Sequence, residues 1–424
     1  MGERDQGWRA GDASVAMSSV SPRDQGPFRV ALLCDSADEG WSSMDVTSEC
    51  LAEASRELCG NEFVFTIVKP PIRKRFRRFA GCRSRRAFTA DRLIHRFYDY
   101  PRMVRHIRDG FDLFHIMDHS HAHLAHELLP EQTVITCHDL DTFTSILRPQ
   151  QCRRSRLFRA MTARILSGFQ RAGRIICVSQ ATRAAVLAAG VVGSERVTVI
   201  PNGIQSLSRE AGDTDSVTAL ESYLGRANRD TAELLHVGNN VARKRIDVLV
   251  RILAAVRGQG IEVRLIRVGQ EFTASQLALI ESLSLGPYIK VLQRVDAGLL
   301  GAIYQRAALL LQTSDAEGFG LPVVEAMALG TPVVASDIPV LREVGGEITA
   351  YCPVADVESW ARVVAALLRE RDQAPSQWDQ RRARGVVWAS RFSWHSAAEK
   401  TLSIYREILN RDEMQHATAD HAMV

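Results

Sequence analysis

The sequence predicts an α/β protein made of two consecutive units, each built on a doubly wound parallel sheet. Three observations carry that expectation. Short β-branched and aliphatic runs alternate with longer helix-like segments from end to end, the pattern of parallel strands joined by crossover helices. The alternation pauses at Pro201-Asn202-Gly203 and restarts near Glu233, which marks a turn followed by a polar connection. Finally, 424 residues with 46% hydrophobic and 24% charged side chains describe an ordinary globular chain that is too long for one core.

In order, the strands expected in the first unit are Phe28–Cys34, Phe63–Val68, Asp112–Met117, Thr133–Cys137, Arg174–Val178 and Val197–Ile200. Those of the second are Glu233–Val237, Glu262–Val268, Ile289–Leu292, Ala308–Gln312 and Thr331–Ala335. The expected division is a disordered leader at 1–27, domains at 28–205 and 206–392, a terminal helix at 393–412 and a tail at 413–424. Asp213–Asp215 falls in the polar connection and reads as structureless. The leader carries scattered charges without the apolar core of a secretory signal. No apolar run reaches the roughly 18 residues that span a bilayer. Eight cysteines occur without a CxxC or metal-ligand spacing, two of them (Cys34 and Cys177) inside apolar runs. A reducing, cytoplasmic compartment fits that usage.

Charge is unevenly placed. Between Arg73 and Arg86 there are eight basic residues and no acidic one, and without them the formal net charge of +4 would be −4. The stretch reads either as a solvated loop or, because Phe76 and Phe79 are interleaved, as a patch for anionic lipid or a phosphorylated acceptor. No aromatic stacking platform or DNA-binding motif accompanies it, so nucleic acid is not an expected partner.

The most informative segment runs from Ser314 to Gly330, directly after the apolar run Leu309-Leu310-Leu311. Pro322 suits the first position of a helix and Gly330 its C-terminal end. The loop Gly318-Phe319-Gly320 then precedes a helix N-terminus, where unpaired backbone N–H groups and the positive dipole end hold a diphosphate. Glu317 stands before the helix and Glu325 in its first turn, both facing one ligand. The plainer reading makes Glu325 a complement to the helix dipole and Glu317 a surface residue.

Glu317-Gly-Phe-Gly-Leu-Pro-Val-Val-Glu325, followed by Ala-Met-Ala-Leu-Gly-Thr-Pro-Val-Val-Ala-Ser, closely resembles the E-x7-E donor motif of glycosyltransferase family four. His236-Val237-Gly238-Asn239-Asn240-Val241-Ala242-Arg243-Lys244 resembles that family's strand, loop and basic segment. Ile176–Ser179 with Thr182-Arg183, and Val199–Gly203, resemble its landmarks ahead of the linker, and Phe392-Ser393-Trp394 with Ala397–Leu409 its terminal helix. The resemblance implies the GT-B fold: two Rossmann-like domains facing across a cleft, acceptor in the first and nucleotide sugar in the second, with the last helix crossing back onto the first. It also implies a retaining transfer without a bound metal or other cofactor, the nucleotide diphosphate sugar being the co-substrate. Glu317 and the backbone of Gly318, Phe319, Gly320 and Leu321 would hold the donor sugar, and Glu325 the ribose. Gly238, Asn239, Arg243 and Lys244 would surround the diphosphate, with Lys244 as its main cation and Arg243 or Arg245 assisting. Family members often carry arginine where this chain has Asn239, which leaves the second phosphate cation open.

In the first unit, His138-Asp139 follows the strand-like run Thr133–Cys137, at the end of a parallel strand where ligands meet such sheets. It resembles the family's histidine beside the reacting carbon. His119, His121, His123 and His126 crowd one segment, with His119 and His123 on one helical face. That segment reads as a transition-metal site, as polar residues at a strand end, or by resemblance as an acceptor-binding patch. The loop Asp38–Asp45, with Gly40 and Trp41, resembles an acceptor-side loop of bacterial mannosyltransferase-like sequences, and core packing by Trp41 is the alternative. Glu317, Lys244 and His138 are thus the expected catalytic set, Gly40, Trp41 and His119 the acceptor side. The expected activity is hexosyl transfer from a UDP- or GDP-sugar to a glycan or lipid-linked hydroxyl, as in bacterial cell-surface polysaccharide synthesis. A nucleotide-sugar epimerase or a non-catalytic sugar-nucleotide-binding protein are the rivals on the same fold.

Overall fold

A computed structural model of the chain describes residues 26–39, 42–78, 85–150, 152–204, 214–228, 230–293 and 295–421. Gly40, Trp41 and the part of the basic stretch from Phe79 to Ser84 lie outside the described residues. Two six-stranded sheets organise the rest, every strand pair parallel. The first contains β1 (Phe28–Leu33), β2 (Phe63–Val68), β3 (Leu113–Ile116), β4 (Thr133–Cys137), β5 (Arg174–Cys177) and β6 (Val197–Val199), in the order β2-β1-β3-β4-β5-β6. The second contains β7 (Ala232–Val237), β8 (Val263–Val268), β9 (Ile289–Leu292), β10 (Leu309–Gln312), β11 (Val333–Ser336) and β12 (Ala350–Cys352), in the order β12-β11-β10-β7-β8-β9. In each sheet the order reverses once, between β1 and β3 and between β7 and β10, and such reversals open crevices at the carboxyl ends of the strands.

The central strands are buried on both faces, which is why they read as mainly apolar runs without strict alternation. On one face of the first sheet, Leu51 and Ala52 of helix Ser42–Cys59 pack with Ala398, Leu402 and Tyr405 of helix Trp394–His421. The last helix therefore belongs to the first sheet's core although it follows the second. The Tyr405 hydroxyl lies 2.6 Å from His115 Nδ1 on β3, and Arg406 holds Glu62 with two hydrogen bonds of 2.7 and 2.8 Å. The opposite face is covered by helix Tyr100–Ile107, the 3₁₀ segment His119–Glu127 and helix Arg156–Arg171. Among the described residues, no helix is long and apolar enough to cross a membrane.

Two expectations change. Thr214 and Asp215 open a helix, Thr214–Leu224, rather than lying in a structureless stretch, while Asp213 is outside the described residues. Its buried Leu220 and Leu224 join the second domain's core and hold it there. The basic stretch is not simply a solvated run of charge. Arg75 makes a bidentate pair with Asp99 at 2.6 and 2.7 Å, and Arg77 reaches the fully buried Asp91 at 3.3 Å. The Asp91 carboxylate also accepts the backbone N–H groups of Arg75, Phe76 and Arg77. Arg73, Lys74, Arg78 and Phe76 are left exposed.

Candidate active site

The residues expected at the site gather where the carboxyl ends of the two sheets meet. Beyond β7 the chain turns through Gly238 at φ 155°. A Cβ on the neighbouring Gly269, itself at φ 149°, would stand 1.9 Å from the Gly238 carbonyl, so the two turns approach as only glycines permit. The 3₁₀ turn Ala242–Lys244 follows, and the Thr313 hydroxyl fixes it by donating to the Lys244 carbonyl at 2.9 Å. Thr313 comes directly after β10, across the second sheet's crevice from β7.

Glu317 lies at the centre of this crevice. Its Oε1 accepts from Lys244 Nζ at 2.5 Å, Gln312 Nε2 at 2.6 Å and Ser314 Oγ at 2.6 Å. Its Oε2 accepts from Arg243 Nη1 at 2.8 Å. Burial pushes the Glu317 carboxyl up, but Lys244 and Arg243 outweigh burial and hold it below its ordinary value. Arg243, not Arg245, is the second cation here: Arg245 turns away to Asp247 at 3.0 Å. Asn239 spends its carbonyl oxygen locally on the Val241 N–H at 3.4 Å. Arg243 also faces the first domain, 3.2 Å from Asp141 and 3.9 Å from Asp139.

Gly320, at φ 97°, opens helix Leu321–Ala328 without any side-chain cap. That start places Pro322 second and Glu325 fifth, so Glu325 belongs to the second turn and no acidic residue occupies the first. Its carboxylate accepts the Tyr304 hydroxyl at 2.7 Å, and burial raises its pKa. Glu317 and Glu325 therefore have separate partners, one cationic and one neutral. The Phe319 ring is buried edge-on against Phe392, 5.7 Å between centroids, so within the loop it offers only backbone.

Gly318 joins the domains. Its carbonyl accepts from the Ser179 hydroxyl at 2.9 Å and from Thr182 at 3.2 Å, and a Cβ there would stand 2.0 Å from the His138 carbonyl. Nearby, the Glu343 carboxylate accepts the backbone N–H groups of Gln180 and Ala181, at 2.7 and 3.1 Å. His138 donates from Nε2 to the Met117 carbonyl at 2.9 Å, which fixes the tautomer and leaves Nδ1 as an acceptor. Sequence reasoning had no means to single out Asp141, Gln312, Tyr304 or Glu343, since each is recruited by a tertiary contact. Gln312, the last residue of β10, was the most accessible of them by the strand-end rule.

The histidines diverge instead of forming one cluster. A 3₁₀ segment has three residues per turn, so positions four apart point about 120° away from each other. His119 sits between Asp118 (3.1 Å) and Asp139 (3.5 Å), whereas His123 turns to the Arg96 carbonyl at 2.6 Å. Burial alone would lower the His119 pKa; the two carboxylates reverse this and bring it to about 10, while Asp139 is held at about 2. Ligand atoms of Asp35, Asp118 and His121 lie within 4.8 Å of one another and form the one group among the described residues able to hold a metal ion. The raised His119 pKa makes its contribution to folding complete below its ordinary 6.5 and lost as pH climbs through about 10. The melting temperature of wild type is thus expected to fall towards that of His119→Gln between pH 6.5 and 10. A constant difference over that range would show that His119 is neutral in the fold.

Known proteins place this arrangement. Residues 225–384 match the family Glycosyl transferases group 1, and residues 49–206 match Glycosyltransferase Family 4. An MMP alpha-(1->4)-mannosyltransferase of Mycolicibacterium hassiacum is 28% identical over 56% of this chain and 54% of its own length. A serotype-specific mannosyltransferase of Escherichia coli is 22% identical over 95% of this chain and 46% of its own. The chain thus spans about half the length of these curated relatives. Sucrose-phosphate synthase from Thermosynechococcus elongatus superposes with a TM-score of 0.67 at 20% identity, over 91% of this chain and 100% of that one. Anabaena HepE in complex with UDP and glucose gives 0.65 at 19% identity, over 89% and 99%. The chain belongs to the family-four glycosyltransferases and has the GT-B fold.

Proposed function

We propose that this protein is a retaining hexosyltransferase that moves a sugar from a UDP- or GDP-sugar to a hydroxyl of a glycan or lipid-linked acceptor. One observation carries the reading: Lys244, Arg243 and Glu317 converge at an uncapped helix start, pressed against His138 of the opposite domain. Charge builds on the diphosphate as the sugar leaves, and two cations fixed beforehand stabilise it without reorganising. Glu317 orients those cations and offers oxygen to sugar hydroxyls, while His138 Nδ1 accepts from the sugar on the other side. The acceptor oxygen attacks the anomeric carbon on the face the diphosphate departs from, and the departing phosphate takes the proton. The relatives named mannosyltransferases favour a mannosyl donor, and the nucleotide in Anabaena HepE favours a uridine one. Exposed Arg73, Lys74, Arg78 and Phe76 fit contact with the cytoplasmic membrane face, where a lipid-linked acceptor for cell-surface polysaccharide is presented.

A panel of UDP- and GDP-sugars, incubated with and without acceptor extract, tests the proposal. Acceptor-dependent release of the nucleotide is expected. Isomer formed without acceptor would identify an epimerase instead, and no turnover of any donor would favour a binding protein. Activity is further expected to survive exhaustive EDTA treatment, because cations of the chain itself serve the diphosphate. Loss that Mg²⁺ or Mn²⁺ restores would contradict this and point to Asp35, Asp118 and His121.

A further inference from the structure

The chain carries no acidic residue between Asp141 and Glu195, a span holding nine arginines. Four of them, Arg153, Arg154, Arg156 and Arg159, surround the start of helix Arg156–Arg171, and residues 153–160 are all exposed. Five consecutive exposed helical residues, 156–160, cover more than one full turn of about 3.6 residues, so no residue of this turn is buried against the protein. Burial begins only at Thr162, followed by Ile165, Leu166 and Phe169. Yet the free turn carries Leu157 at 70% exposure and Phe158 at 39%. The helix start satisfies itself, since Ser155 Oγ accepts the Phe158 N–H at 3.2 Å. Arg154 lies over the Phe158 ring at 5.3 Å. Among the described residues, Leu157 and Phe158 join no hydrophobic core cluster, and the arginines around them have no carboxylate partner.

We infer that this turn is a membrane anchor: Leu157 and Phe158 enter the headgroup region of an anionic bilayer and the four arginines bind its phosphates. A convex tip with an apolar end and a cationic collar matches that interface, where apolar side chains insert about 5–10 Å and long basic ones reach back to the headgroups. Its place in the fold agrees. The helix leaves from the carboxyl end of β4, beyond His138, and returns to β5, so its first turn lies on the edge of the sheet that bears the site. The loop with Arg73, Lys74 and Arg78 follows β2 at the same edge. Between the two runs the 3₁₀ segment, tied to Arg96 through His123 (2.6 Å) and to helix Arg156–Arg171 through His126 Nε2 and the Arg164 carbonyl (3.1 Å). The two basic segments thus flank the segment that carries His119. This inference extends the membrane contact proposed for the Arg73–Arg78 loop but rests on different residues.

Flotation of the full-length protein with vesicles of phosphatidylcholine alone, or with phosphatidylglycerol added, tests it. Wild type is expected to float with the anionic vesicles at low salt and less at 0.5 M salt, as screening shortens. Changing Arg153, Arg154, Arg156 and Arg159 together to Gln is expected to lower partitioning about 100-fold. Leu157→Ser with Phe158→Ser is expected to lower it about 10-fold and to remove the salt-resistant part. All six positions are exposed, so melting temperatures should match wild type and a folding defect is separable. Wild-type flotation by both variants overturns the inference, as does binding indifferent to lipid charge. Retention on heparin without flotation also overturns it, assigning the turn to a soluble polyanion. A third variant, with Arg73, Lys74 and Arg78 changed to Gln, separates the two surfaces: loss in that variant alone leaves the loop's contact standing and removes the anchor.

Discussion

Replacing Lys244 with alanine is expected to lower turnover by about 100- to 1,000-fold while leaving a folded protein. Removing one fixed group that stabilises developing charge raises a barrier by roughly 2.7–4 kcal/mol. Lys244 is only 8% exposed and its ammonium is 2.5 Å from Glu317, so a stability cost must also be weighed. Breaking a buried ion pair costs about 3–5 kcal/mol when the surviving charge is left alone. Here Glu317 keeps Arg243, Gln312 and Ser314, and the loss of stability should stay below that range. Donor turnover and thermal melting, measured side by side, separate the two effects. Arg245→Ala is the control, because Arg245 is engaged with Asp247 instead. A Lys244→Ala protein with wild-type turnover would remove Lys244 from the diphosphate.

Which parts of this arrangement were readable beforehand follows from the range of the forces involved. Eleven of the twelve strands announce themselves as apolar or β-branched runs, most clearly the central parallel strands, which are buried on both faces. The strand β12, Ala350–Cys352, has no β-branched residue, unlike the equally short β6 with Val197-Thr198-Val199, and its pairing with β11 is a tertiary fact. The pairing of Lys244 with the Glu317 loop is anticipated by the family resemblance, since each motif is local in sequence. The second cation was not decided there: Arg243 and Arg245 are equivalent as letters, and the left-handed backbone of Arg245 at φ 49° accompanies the divergence of the two side chains. The shared face expected for His119 and His123 fails for a related reason. Assigned α-helical spacing, His119 and His123 share a face; with 3₁₀ spacing they separate. Nor does composition reveal that Asp91 and Asp99, on the following helical segments, neutralise part of the basic loop.

The alternating charges around His119 link the two halves of the site in a way no single motif does. Asp118, His119, Asp139, Arg243, Glu317 and Lys244 succeed one another with opposite signs, at separations of 3.1, 3.5, 3.9, 2.8 and 2.5 Å. The run crosses from the first domain to the second between Asp139 and Arg243. On the function proposed above, a diphosphate arriving beside Arg243 and Lys244 would compete with these carboxylates for the same two cations, so donor binding and the contact between domains would act on one set of charges.

That crossing makes Gly318 the position where the smallest change has a large expected effect. Gly318→Ala is expected to cut turnover about 100-fold while the melting temperature stays near that of wild type. A methyl group there would begin 2.0 Å from the His138 carbonyl, so the loop and the His138 segment must part by more than 1 Å to reach an ordinary contact. The atoms nearest this methyl group all belong to the facing His138-Asp139 segment, the Asp139 side chain following at 3.6 Å. The displacement therefore falls on the interface, lengthening the bonds from Ser179 and Thr182 to the Gly318 carbonyl and separating Glu317 from His138. Misplacing reacting groups by about 1 Å is enough for a 100-fold loss, because the geometry of attack is lost before any contact energy is. Gly320→Ala gives the contrast, since its φ of 97° strains any side chain and its Cβ would meet Leu341 at 2.8 Å, a cost that appears in melting. Turnover near wild type for Gly318→Ala, with melting unchanged, would mean that the approach of the Gly318 loop to His138 is not needed for the reaction.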